Sequence, residues 1–251
     1  MRILLIADIH GNFPALTAVA ADAARRGGAS AARAVVNCGD SVVYAPFANE
    51  TMDWLGQRRA LSILGNTDRS VIRLLRGKGL KKPRDPEKRI MYEYAAAKLS
   101  PENALALQSF GENATLPLPL GASDTGNGQT TLGVFHGGPD NRDEFLFADT
   151  PDERFAALAD NSPHAVIVCG HSHTPFWKYI GGRHFINPGS VGRMFDGNPQ
   201  ASYALLDVTP NGLTVGLFRV SYDLARLTGE IRAQRLPEIY VTMYESGRKL
   251  N

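Results

Sequence analysis

Cysteine is scarce in this chain. Its 251 residues hold two, Cys38 and Cys169, too few for the disulfide framework of a small secreted domain. Each closes a β-branched run one residue before a glycine, so both read as small buried hydrophobes on strands. Long apolar runs are missing too, and none approaches the length that spans a bilayer. The opening stretch Met1 to Ala7 is too short for a signal-peptide core and runs straight into Asp8. The expected location is the cytoplasm. Charge of one sign is also lacking: 27 Lys and Arg against 25 Asp and Glu leave +2, so nothing global argues for nucleic acid or membrane as a partner. There is no internal repeat, low-complexity tract or linker. A hydrophobic content of 43% with 21% charged residues belongs to a soluble globular protein. One domain over residues 1–251 is the expectation.

What is present is a rhythm of apolar runs and polar clusters. Ile3 to Ala7 is continuously apolar, as in a strand buried on both faces. Pro14 suits a first helical turn, and Leu16, Val19, Ala20 and Ala23 follow at helical spacing until Gly27-Gly28. Strands are expected at Ala34 to Cys38 and Ala60 to Leu64, with a helix near Ala48 to Gln57 between them. Residues 70 to 110 break the rhythm and read as a helical, cap-like excursion. Within it lie a basic, proline-interrupted loop from Lys78 to Arg89, a helix from Ile90 to Leu99, and a Ser100-Pro101 helix start. The six cations of that loop (Lys78, Lys81, Lys82, Arg84, Lys88, Arg89) read mainly as a solvated surface countered by Asp85 and Glu87, with steering of a polyanionic substrate as the lesser reading. The polar stretch Gly121 to Gln129 reads as a turn or mobile loop. Later come strands at Thr130 to Phe135 and Ala165 to Cys169, a helix at Pro151 to Asp160, and hairpins around Gly181-Gly182 and Pro210-Asn211-Gly212. A helix near Tyr222 to Gln234 and a short tail close the chain. Alternating α/β early and hairpins late imply two mixed sheets face to face with helices outside, an α/β four-layer α/β/β/α sandwich.

Five clusters carry the chemistry: Asp8-Ile9-His10-Gly11-Asn12, Gly39-Asp40, Gly65-Asn66-Thr67-Asp68, His136-Gly137 and Gly170-His171-Ser172-His173. Most end an apolar run, where α/β sheets gather ligands. Four of the six histidines fall in them. Imidazole, carboxylate and amide oxygen together suit divalent ions such as Zn, Mn, Fe, Ni or Co. About seven donors, with Asp40 able to bridge, fit a two-metal site of the phosphate-ester-hydrolysing kind.

In order and wording these clusters resemble the calcineurin-like metallophosphoesterase superfamily, most closely its small bacterial and archaeal phosphodiesterase-like branch. The resemblance runs from Met1 to about Leu206. It implies one metal held by Asp8, His10, Asp40 and His173, and a second held by Asp40, Asn66, His136 and His171. It also implies hydrolysis of phosphate esters, mainly phosphodiesters, by a hydroxide bridging the metals, on a small phosphorylated or nucleotide substrate. Asn187-Pro188-Gly189-Ser190-Val191-Gly192 matches a family segment that would position the His171/His173 loop. His164 and His184 match no ligand position. Many superfamily members carry a leaving-group acid, a histidine, directly after the metal-binding asparagine; Thr67 stands there instead. Asp68 is then the candidate catalytic acid, provided burial raises its pKa; otherwise it is a loop carboxylate facing Arg69. Two alternatives stay open. Gly39 to Pro46 resembles dinucleoside polyphosphate hydrolases, with Ala45 where glycine is usual. The same fold also serves as a non-catalytic interaction module in the retromer scaffold subunit, though here every ligand position holds a competent residue.

Overall fold

The first strand, β1 (Arg2–Ile6), sets the layers. Successive strand side chains point to opposite faces. Leu4 and Ile6 accordingly enter one buried cluster, while Ile3 and Leu5 enter another. The computed structural model describes residues 1–27, 32, 34–120 and 130–251. The expected loop at Gly121 to Gln129 lies outside the described residues.

The first sheet adds β2 (Ala34–Asn37) and β3 (Leu61–Ser62) parallel to β1 on one side. On the other side β9 (Ala201–Thr209) and β10 (Gly212–Val220) run antiparallel as a hairpin, giving the order β10-β9-β1-β2-β3. The second sheet contains β4 (Ala114–Pro117), β5 (Thr131–Val134), β6 (Val166–Val168), β7 (Phe176–Ile180) and β8 (Arg183–Asn187) in the order β4-β5-β6-β8-β7. Both sheets are mixed. Ile3, Leu5, Val36, Val166, Val168 and Leu206 fill the space between them.

The outer layers are unequal. Helices α1 (Phe13–Gly27), α2 (Ala48–Gln57), α3 (Asn66–Leu75), α4 (Pro86–Lys98), α5 (Pro101–Ser109), α7 (Leu224–Ala233) and α8 (Ile239–Ser246) all contribute to the cluster over the first sheet. Over the second sheet lies α6 (Asp152–Asp160), whose Phe155, Leu158 and Ala159 meet Ile167, Cys169 and Phe185. This is the expected four-layer sandwich, with most of its helices on one side. Among the described residues no helix is long and apolar enough to cross a membrane.

Several boundaries differ from expectation. Strand β3 keeps only Leu61–Ser62, and the next helix starts at Asn66 rather than near Ser70. Helix α4 starts at Pro86, because Asp85 caps it by accepting from the Lys88 N–H at 2.8 Å; the end of the basic loop is therefore helical. Strand β4 was not anticipated. The expected tail contains α8, whose Tyr240, Val241, Met243 and Tyr244 are buried.

Candidate metal centre

The clusters lie beyond the carboxyl ends of β1, β2, β3, β5 and β6, and the site grows from loops tied across strands. Ladder-like bonds continue past the first sheet's strands: Asp8 N–H to Gly39 O at 3.0 Å and His10 N–H to Asp40 O at 2.9 Å. In the second sheet Gly170 N–H donates to His136 O at 2.9 Å. Residues 187–193 then join the two halves. The Asn187 amide donates to Gly170 O and the Ser172 hydroxyl, both at 2.9 Å. Val191 N–H reaches Ala7 O, and Ser190 Oγ reaches Asp8 O at 2.7 Å. The segment thus holds the Asp8 loop of the opposite sheet as well as the histidine loop it was expected to position. Gly192 permits this: a Cβ there would stand 1.8 Å from the Ile9 carbonyl oxygen.

Five candidate ligands adopt left-handed backbone, with φ of 52° at Asp8, 53° at His10, 54° at Asp40, 67° at His171 and 58° at His173. Such angles are uncommon outside glycine and gather where a site over-determines its backbone. Gly11 and Gly39 beside them are left-handed as well, with φ of 67° and 95°. Gly65 has a different reason to lack a side chain, since a Cβ would fall 2.0 Å from Asp40 Oδ1.

The structure brings all seven expected ligands around one spot. His10 Nε2 and His173 Nε2 are 3.3 Å apart, and His173 Nε2 lies 3.4 Å from Asp8 Oδ1. Asp40 Oδ2 sits 3.9 Å from His10 Nε2 and 3.6 Å from His136 Nε2, while Asn66 Oδ1 is 3.1 Å from His136 Nε2. His171 stands beside His136, ring centroids 4.7 Å apart. Asp8 with His10 and His173, and Asp8 with Asp40 and His136, each place their ligand atoms within 4.8 Å of one another.

Hydrogen bonding fixes which atoms face inward. His136 Nδ1 meets Cys38 O at 2.9 Å, and His173 Nδ1 meets Arg193 O. A carbonyl accepts only, so each Nδ1 carries the proton and each Nε2 presents a lone pair. The other Asp40 oxygen accepts from Thr67 N–H at 2.8 Å, in the first turn of α3. Asp8 Oδ1 is buried with no hydrogen-bond partner among the described residues. Burial, then the Asp40 carboxylate, pushes the Asp8 pKa well up. Burial holds His10 and His173 far below the usual imidazole range, and burial plus His136 brings His171 down to about 4. The inward lone pairs of His136 and His173 face the Asp8 and Asp40 oxygens, an arrangement that divalent cations satisfy. The donor set fits metal.

Asp68, the expected catalytic acid, is placed differently. Its carboxylate accepts from the backbone N–H groups of Ser41, Val42 and Gly65 at 2.9–3.1 Å, and it is absent from the cavity wall. Burial and Asp40 push its pKa up to about 7 against those donors. It braces the Asp40 loop against α3. Nor does it pair with Arg69, which turns to Glu112 and Asp143. Thr67 does line the cavity. His164 bonds Thr131 and His184 accepts from Trp177, away from the site.

Sequence reasoning missed much of the wall around the ligands. The cavity, about 110 Å³, is also bounded by Tyr44, Lys88, Phe145, Arg193, Phe195 and Lys249. Phe145 stacks on His171 at 4.0 Å and Phe195 on His173 at 4.3 Å, fixing both rings. Lys88 comes from the basic segment read mainly as solvated.

Known proteins resemble the chain in sequence and in fold. The Calcineurin-like phosphoesterase superfamily domain matches residues 1–211. An uncharacterised protein of Methanocaldococcus jannaschii is 29% identical over 94% of each chain. The crystal structure of a metallophosphoesterase from Sphaerobacter thermophilus superposes with a TM-score of 0.77 at 26% identity, covering 98% of this chain and 99% of that one. A hypothetical protein of Pyrococcus horikoshii shares the fold at a TM-score of 0.83 and 20% identity over 99% of both chains.

Proposed function

Because the chain belongs to the calcineurin-like phosphoesterase superfamily, we propose that it is a metal-dependent phosphohydrolase cleaving phosphate esters, phosphodiesters above all, at a two-metal centre. One observation carries the reading: buried, donor-free lone pairs of Asp8, Asp40, His136 and His173 converge beside His10, Asn66 and His171. Asp8, His10, Asp40 and His173 would hold one ion, and Asp40, Asn66, His136 and His171 the other. Ions of the Mn, Fe, Ni, Zn or Co kind, when bound, supply Lewis acidity toward phosphoryl oxygens and lower the pKa of water.

The chain's own residues prepare that chemistry. Thr67 N–H holds one Asp40 oxygen and leaves the other facing both histidine groups. Carbonyl acceptors keep the His136 and His173 tautomers fixed. Phe145 and Phe195 stack on the His171 and His173 rings and hold their orientation. With Thr67 at the usual acid position, leaving groups that need no proton, such as phenolates or nucleotide phosphates, are favoured. The experiment is a screen of Mn²⁺-loaded protein against phosphomonoesters, phosphodiesters and dinucleoside polyphosphates. Turnover of aryl diesters that is lost in chelator and restored by Mn²⁺ is expected. Metal-loaded protein inert on all three classes overturns the proposal and favours the non-catalytic alternative.

A further inference from the structure

Three cations from distant parts of the chain meet on one side of the cavity. Lys88 comes from the first turn of α4, Arg193 from the segment after β8, and Lys249 from beyond α8. Arg193 is the unusual one. It is 5% exposed, yet it forms no ion pair with any carboxylate among the described residues. Its guanidinium lies over the Tyr44 ring at 3.9 Å and near the rings of Phe195 and Tyr240 at 5.2 and 5.3 Å. Among the described residues its Nη2 touches only neutral groups, Met243 Sδ at 3.5 Å and Asn251 Oδ1 at 3.4 Å, and its buried Nε has no partner.

Aromatic faces stabilise a cation without cancelling its charge. A buried, unneutralised arginine is costly unless an anion joins it. The cost is visible locally: burial, then repulsion from Lys249 and Arg193, lowers the Lys88 pKa. Its forked donors suit phosphate oxygens, and the two lysines add flexible point charges. The proposed metals already account for one phosphoryl group. The cations beside them have no assigned ligand.

We infer that Arg193, Lys88 and Lys249 form a subsite for a second phosphate, so that the preferred phosphate esters are those that carry a further phosphate beside the scissile one. The inference rests on reading the metal centre as the site of the reacting phosphate. The subsite sets specificity and leaves the chemistry to the metal side.

Calorimetric binding to the Mn²⁺-loaded full chain tests it, with inorganic phosphate and non-hydrolysable methylenediphosphonate as probes at constant free Mn²⁺. The parent is expected to bind the diphosphonate about tenfold or more tighter than phosphate, the scale of one charge-assisted contact. Lys88→Ala and Lys249→Ala, both on the accessible side, should each weaken the diphosphonate about three- to tenfold and leave phosphate within about twofold. Arg193→Met should abolish the preference and Arg193→Lys should restore part of it. Lys82→Ala, on the same basic segment but off the cavity wall, serves as the control and should change neither ligand. A double Lys88→Ala/Lys249→Ala variant that keeps the parental ratio overturns the proposal even if the arginine variants do not fold. Equal weakening of both probes also overturns it. Diphosphonate selectivity without any ester hydrolysis would remove the hydrolase reading alone, whereas hydrolysis without selectivity would remove the subsite alone.

Discussion

Asp40 shows how much can hang on one side chain. One oxygen is fixed by Thr67 N–H and the other faces both histidine groups. Asp40→Asn should lower turnover by at least ~10²-fold and reduce bound metal by elemental analysis; His184→Ala should stay within a few-fold. Full activity and metal content in Asp40→Asn would refute the bridging role. Asp68 gives a separate test, because its three backbone donors make it a brace. Asp68→Ala should cost about 1–3 kcal/mol in denaturant unfolding, because buried backbone donors are left without their acceptor. In a leaving-group series the parent rate should depend steeply on leaving-group pKa, and Thr67→His should assist poor leaving groups by part of the ~10²–10⁴-fold of general-acid catalysis. A shallow parental dependence that disappears in Asp68→Asn would instead make Asp68 the acid. The ligand positions were legible because most of the polar clusters close an apolar run. Arg193, Lys249 and Phe145 were not, since they come from irregular segments that only tertiary packing brings to the cavity.

Elements were legible in proportion to how strictly their pattern repeats. Continuous burial announced β1, and Ser100 before Pro101 announced α5. Strand β4 left no such trace: its residues alternate between half-buried and exposed, it lies at a sheet edge, and it ends in Pro117. Helix α8 did carry one overlooked sign, Gly247, which ends it in left-handed backbone at φ 63°. How elements are fastened is also testable. Asp22 of α1 accepts from Tyr203 of β9 at 2.6 Å and from Arg26 and Arg25. Burial alone would raise its pKa, but the Tyr203 and arginine bonds outweigh burial and leave it below the usual range. A carboxylate with a depressed folded pKa stabilises above its unfolded pKa and loses that contribution as pH falls through the folded value. Asp22→Ala should therefore cost about 1–3 kcal/mol at neutral pH. Thermal melts from pH 7 to pH 3 should show the gap to the parent narrowing below about pH 4; a constant gap would mean the loss is one of packing.

For the molecule as a whole, the expected ligands come from both sheets, so bound ions would clasp the two halves of the sandwich. Up to two divalent ions per chain are expected, and Mn²⁺ at a hundredfold excess over its dissociation constant should stabilise the fold by about 2.7 kcal/mol per site. Melting with Mn²⁺ and with chelator measures this, and an unchanged midpoint would contradict the clasp. The sheet order has a consequence for the newborn chain. Strand β1 pairs with β2 soon after both leave the ribosome, but its other edge waits for β9, where Leu4 meets Leu205. Through most of synthesis an apolar strand edge stands open, the kind of template on which chains associate wrongly. Stalled chains ending before Ala201 should accordingly be captured by chaperones or aggregate, and release of the β9–β10 hairpin should end that exposure.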